Sequence, residues 1–241
     1  MRFRTVDFFY LPLILVLSGY FIPFWASAQQ TYGLRLGMNM STFRLSIDDS
    51  DSVNPFQFKY VMGIASGGHA RFGFGRLFSL QPELQYSRLG GSWFMDDSSI
   101  EELTYTVRHH WLQGLILARI DIPYKKFHFH ILVGPHVGYS IGKVSSEVIL
   151  HYEDEFETYT IKNKEKISWD EVGESLRRFE PGVTAGLGFD FPLGPGRIGA
   201  DLRFQRGFSS WINPEPGLVY FSNMNFQLGC SYSMVMADRR S

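Results

Sequence analysis

The chain has 241 residues, 44% of them hydrophobic and 16% aromatic, with 24 glycines and a formal net charge of −1. That length and apolar content suit one sizeable domain, and the balanced charge excludes a nucleic-acid partner held by a basic surface. The lone Cys230 excludes an intramolecular disulfide framework.

The first element is a leader. MRFR supplies a positive start, FFYLPLILVLSGYFIPFW an apolar core, and Ala26-Ser27-Ala28 a small-residue cleavage site. An uncleaved N-terminal anchor is the competing reading. Pro12, Gly19, Pro23 and the A-x-A directly after the apolar run argue against it. Residues 1–28 are therefore expected to be a signal peptide cleaved after Ala28 during Sec export, and 29–241 the mature domain. No later stretch approaches the apolar length of a membrane-spanning helix, and no cysteine follows the cleavage site to carry a lipid.

After Gln29 the pattern changes to a two-residue period, the mark of an extended strand with a different solvent on each face. Segment 32–41 sets Tyr32, Leu34, Leu36, Met38 and Met40 against Gly33, Arg35, Gly37, Asn39 and Ser41. Residues 61–72 form a noisier, Gly-rich candidate. Segment 78–86, FSLQPELQY, alternates cleanly, and 104–121 alternates less cleanly because Leu115 and Leu117 blur the contrast. Segments 127–140, 182–191, 198–205 and 224–234 complete eight candidate strands. Between them, long and short connections alternate. The long ones fall at 42–60, 88–103, 142–179 and 207–222, and the short ones at 73–76, 123–126 and 193–196. In an up-and-down barrel this gathers the long loops at one end and the tight turns at the other.

Which face points inward follows from volume. An eight-stranded barrel is just wide enough to be filled by its own side chains. The face carrying Phe, Leu, Tyr, Met and Ile would overfill that space, whereas the face carrying Gly, Ser, Asn and Gln fits. The apolar face is then outside, which is tolerable only in lipid. Nine residues rise roughly 30 Å, and a tilt near 40° leaves about 23 Å of height, close to the apolar band of outer-membrane barrels. The expected fold is an all-β, eight-stranded antiparallel up-and-down transmembrane β-barrel. Tyr86, Trp111, Tyr139, Phe191 and Tyr232 fall near strand ends, where interface aromatics belong. Pro82 and Pro135 lie inside strands and are expected to lose a ladder hydrogen bond or mark a bulge.

The phrases GLRLGMNMS, LQPELQYSRLGG, VGPHVGY, GVTAGLGFDF, ADLRFQRGF and NMNFQLGCSY, taken in order, resemble the PorT-like outer-membrane β-barrel family of Bacteroidetes over essentially the whole mature chain. That family usually carries a Tyr-Leu-Glu-Ile-Pro run in its fourth strand. Here the matching residues are Trp111-Leu112-Gln113-Gly114-Leu115, without the acid and the proline, so no role of theirs is carried over. The resemblance implies a membrane barrel, and some relatives are tied to type IX secretion and gliding machinery.

Arg35, Arg71, Glu83, Arg119, Asp190, Asp201 and Arg203 all fall on the expected interior face. Mixed signs buried together must pair, so an ion-pair network filling the lumen is expected. His128 and His130 stand two apart on that face, with His136 further on. Given an acidic partner across the sheet, they could pinch a divalent metal; hydrogen-bonded imidazoles filling the lumen are the alternative. Gly194 to Gly199 matches G-x-G-x-x-G, but an alternating strand follows where a dinucleotide site needs a helix. No G-x-S-x-G, H-E-x-x-H or P-loop occurs. In the long connection 142–179, the alternation of VSSEVILHY and ETYTIKN suggests that the fifth and sixth candidate strands extend above the membrane as a hairpin. Trp169 and Trp211 are the loop aromatics expected to serve as contact anchors. The function expected is non-enzymatic, structural or partner-binding, with outer-membrane lipid and envelope or secretion proteins as partners and no cofactor. A small-solute channel and a membrane-embedded hydrolase are the alternatives.

Overall fold

The computed structural model describes residues 30–46, 57–97, 100–153, 158–168, 178–209 and 220–235. The leader, Trp169 and Trp211 lie outside them. Among the described residues there are ten strands: β1 (Gln30–Ser46), β2 (Gln57–Lys59), β3 (Val61–Phe74), β4 (Phe78–Asp97), β5 (Ile100–Tyr124), β6 (Phe127–Glu153), β7 (Thr158–Ile167), β8 (Phe179–Leu193), β9 (Gly196–Gly207) and β10 (Tyr220–Val235). Eight of them close a barrel in the order β1-β3-β4-β5-β6-β8-β9-β10, with β10 returning to β1 and every neighbour antiparallel. Closure leaves the barrel no free edge. Strands β2 and β7 stand outside the ring, paired to β4 and β6 above it.

The alternation sorts the side chains as the volume argument requires. Leu34 and Leu36 are 73% and 68% exposed on the outer face of β1, while Arg35 between them is 3% exposed. Ile131 and Val133 on β6, Leu187 on β8 and Leu228 on β10 continue the outer apolar band. Asn39, Gln85, Gln113, Thr184, Gln205 and Gln227 lie buried on the inside. The interior glycines make room for long polar side chains from neighbouring strands. A Cβ on Gly229 would overlap the Arg35 guanidinium, and one on Gly188 or Gly182 would strike the ring of His130 or His136.

The termini of the barrel and its tight turns share one end, where Thr31 pairs with Val235. Tyr124 and Phe127 flank a two-residue turn in which Lys125 takes φ +54°, and Leu193 and Gly196 flank another with Gly194 at φ +59°. Positive φ is the backbone twist that two-residue hairpins demand.

Three expectations need correction. Most of the stretch read as a loop at 88–103 is strand, because β4 runs on to Asp97 and β5 starts at Ile100. Likewise β6 continues through most of the first part of the 142–179 connection and turns back as β7, so the suggested hairpin forms, although β7 does not continue into the ring. Trp111 is no interface aromatic. It occupies an inward position on β5, 1% exposed, with its ring where a Cβ on Gly138 would sit. Both prolines, by contrast, interrupt the ladder as expected, without marking a bulge. At Pro82 the pairing of β4 with β3 lapses opposite Ala70 and Arg71 and resumes in the same register, and at Pro135 the pairing of β6 with β5 lapses opposite Ile116 and Leu117. The bulges lie elsewhere, at Met95/Asp97 and Arg108/His110.

Candidate functional site

The bore of the barrel concentrates the charged chemistry. β1, β4 and β9 bring Arg35, Glu83, Asp201 and Arg203 together at mid-height. Asp201 Oδ1 accepts from Arg35 Nη2 at 2.6 Å and from Arg203 Nε at 2.9 Å, while Glu83 Oε2 accepts from Arg203 Nη1 at 2.6 Å. Arg35 Nη1 also donates to Gln85 and Gln227, each at 3.1 Å. Two cations and two anions make this quartet neutral, and none of the four residues is more than 7% exposed.

A second neutral quartet lies nearer the turn end. Arg119 Nη2 pairs with Asp190 Oδ2 and, at 2.7 Å, with Asp121 Oδ1. Arg71 Nη1 reaches the same two carboxylates at 3.6 and 3.9 Å. Gln81 joins the quartets, donating to Glu83 at 2.6 Å and accepting from Arg119 Nη1 at 3.4 Å. Toward the loop end, hydrogen bonds run from Arg35 through Gln227, Gln205 and Thr184 to His136. The structure thus brings all seven residues of the expected lumen network into two connected groups. Asp121 completes the second, and its place beside Asp190 follows from the registers of β5 and β8 against β6, which strand-by-strand reading does not supply.

Above the polar layers the bore turns apolar. Phe43, Val107 and Val144 form a buried cluster, with Phe58, Trp93 and Tyr105 packed against it. Leu115, Leu117 and Leu132 form a second inward cluster on β5 and β6. The two leucines that blur the alternation of segment 104–121 are therefore lumen residues.

The two candidate ligands His128 and His130 are not brought to one cluster. His130 instead joins Asp121 and Asp190, the three offering ligand atoms within 4.8 Å of one another, and His128 lies outside that group. By type and position the three could ligate a divalent ion. Both carboxylates, however, already pair with Arg71 and Arg119, so an added dication would meet two guanidiniums and no uncompensated negative charge. One further pair invites a catalytic reading: Ser233 Oγ lies 2.9 Å from His69 Nε2. A serine nucleophile needs a base oriented by a third group and free donors for the oxyanion. His69 Nδ1 has no hydrogen-bond partner among the described residues, and Glu83, opposite His69 in register, is taken by Arg203 and Gln81.

A closed ring of eight strands, apolar outside and ionic within, is the arrangement a lipid bilayer requires of strands that cross it. Residues 27–213 match the model of the outer membrane protein beta-barrel domain. The chain belongs to that family. As an outer-membrane barrel it keeps its short turns on the periplasmic side and its long strands and loops outside the cell. Solved structures similar to it include the outer membrane protein OprG from Pseudomonas aeruginosa, 10% identical with a TM-score of 0.46, covering 86% of this chain and 97% of that one. Ail, the attachment invasion locus protein of Yersinia pestis, is 11% identical with a TM-score of 0.38, covering 86% and 99%. The outer membrane protease OmpT from Escherichia coli is 9% identical with a TM-score of 0.38, covering 86% and 97%. No curated protein matches the sequence.

Proposed function

We propose that this outer-membrane barrel is non-enzymatic and works as a structural or partner-binding component, a filled bore anchoring a sheet that projects from the cell. The observation that carries this reading is the pair of neutral quartets stacked along the lumen, with the Phe43–Val107–Val144 cluster above them. Side chains that would line a channel are instead held to one another, which favours an anchor over a small-solute channel. The projecting part comprises the upper halves of β4 to β6 together with β7. Among the described strands β7 pairs with β6 alone, and Tyr159 and Ile161 on it are exposed. An edge strand of this kind accepts an added strand from a partner. Trp169 and Trp211, outside the described residues, are the aromatic side chains this proposal would test as anchors for that contact. The PorT-like resemblance makes envelope components of type IX secretion the first partners to seek. The leader, on this reading, is removed after Ala28 by the Sec pathway, so the extracted protein begins at Gln29.

Two measurements test the proposal. Purified protein in planar bilayers should show no steady conductance, and crosslinking in intact cells should capture an envelope protein through the β6–β7 hairpin. A large, steady open channel would replace the anchor with a porin-like role. Lipase or protease turnover by the pure protein would replace it with the hydrolase.

A further inference from the structure

On the outer face of β4 to β7 the apolar band ends abruptly. Leu84 and Tyr86 on β4, Leu112 on β5 and Tyr139 and Ile141 on β6 are its last members. The next outward positions toward the cell exterior are Arg88, then His110 and Arg108, then Lys143. Strand β7 adds Lys162, Lys164 and Lys166, which stand opposite Ile149, Glu147 and Ser145 on that same face.

Six cations (Arg88, Arg108, Lys143, Lys162, Lys164 and Lys166) thus share this face, with Glu147 the carboxylate set among them and Glu102 and Glu153 in register further out toward the strand tips. Glu147 pairs with Arg108 at 3.3 Å, Lys162 at 3.1 Å and Lys164 at 3.3 Å. Arg88, Lys143 and Lys166 have no carboxylate partner among the described residues. Arg88 and Lys166 both act electrostatically on His110, whose Nδ1 lies 2.6 Å from the Tyr86 hydroxyl at the top of the apolar band. Crowded like charges repel unless counter-charge comes from outside the protein. The face they occupy is continuous with the one that meets lipid chains, at the height where headgroups begin.

We propose that this basic belt binds the phosphate groups of a phosphorylated glycolipid in the outer leaflet, with the acyl chains of that lipid lying on Leu84, Leu112 and Tyr139 directly below. A soluble polyanion or an acidic protein would use the charge alone. A lipid uses the charge and the apolar strip together, and the two are stacked on β4 to β6, with the lysines of β7 extending the charge beside them.

The test uses the full mature barrel in zwitterionic detergent micelles, titrated with diphosphoryl lipid A, with its dephosphorylated form and with inorganic phosphate. Diphosphoryl lipid A should bind, while the dephosphorylated lipid and inorganic phosphate should each bind at least about tenfold more weakly. The triple variant Arg88→Gln/Lys143→Gln/Lys166→Gln should bind the phosphorylated lipid at least about tenfold more weakly. Lys125→Gln/Lys126→Gln, at the periplasmic turn, should bind it as the parent does. A second readout needs no variant: bound lipid A should shield Lys143 and Lys166 of the parent protein from a water-soluble acylating reagent and leave Lys125 and Lys126 reactive. Equal binding of the dephosphorylated lipid, full retention by the triple variant, or unchanged acylation would overturn the proposal. Competition by inorganic phosphate at matching affinity would also overturn it, since the lipid would then not be the ligand.

Discussion

Replacing Glu83 by glutamine keeps the volume and one acceptor oxygen but takes the middle quartet from neutral to a formal charge of +1. Arg203, 2% exposed, then shares with Arg35 the single carboxylate of Asp201. Removing one partner of a buried pair costs about 3–5 kcal/mol, and the retained acceptor places this change at the lower end, about 3 kcal/mol. Removing Arg203 alone leaves the opposite imbalance at similar cost. The double variant Glu83→Gln/Arg203→Gln restores neutrality and leaves the Arg35–Asp201 pair intact. It should therefore fall short of the sum of the single effects by about 2 kcal/mol or more. Urea unfolding of the barrel in lipid vesicles, followed by tryptophan fluorescence, measures all four proteins. Strict additivity, with a coupling below about 0.5 kcal/mol, would refute the claim that the quartet is one electrostatic unit.

Gly229→Ala should lose about 1–3 kcal/mol in the same assay, because its methyl group enters the space of the Arg35 guanidinium. Gly114→Ala, on the open outer face with nothing within 4 Å of its Cβ, should stay within about 0.5 kcal/mol of the parent. Leu36→Arg, in the middle of the lipid-facing band, should cost about 2–4 kcal/mol in thin bilayers, and no loss there would mean that Leu36 does not face hydrocarbon. At Glu147 burial opposes ionisation, but the hydrogen bonds from Lys162, Lys164 and Arg108 prevail and hold the carboxyl below its ordinary value of 4.5. Its contribution is complete above that value and is lost as pH falls through the lowered one. Acidification to about pH 3 should thus speed amide exchange in the β6–β7 hairpin, and the Glu147→Gln variant should lose that pH dependence. Equilibrium dialysis at neutral pH should leave no zinc on the protein, because Arg71 and Arg119 already satisfy Asp121 and Asp190.

The membrane-spanning half of the barrel was legible because one rule governs it. From Tyr32 to Met40 and from Phe127 to Tyr139, every second residue meets lipid, so alternation alone assigns each charge to the bore. Above the membrane the outer solvent becomes water, and the pattern changes phase. On β5 the apolar outward residues Leu112 and Ile116 are even-numbered, whereas the apolar inward residues Tyr105 and Val107 are odd-numbered. Strands that cross such a boundary lose a continuous period, and with Gly90, Gly91 and nearby acids the stretch reads as a loop. Which charges meet was not legible either. Arg35 and Asp201 are 166 positions apart, and only the closure of β1 on β10 and of β10 on β9 brings them together.

The native cysteine offers the most direct measurement of the outward apolar face. Cys230 lies exposed on the outer side of β10 beside Leu228. A nitroxide attached there in reconstituted vesicles should collide with lipid-soluble oxygen far more often than with a water-soluble nickel complex. Moved one residue, in the variant Cys230→Ser/Ser231→Cys, the label should lose that preference. A label at Cys230 that met nickel more than oxygen would contradict the account.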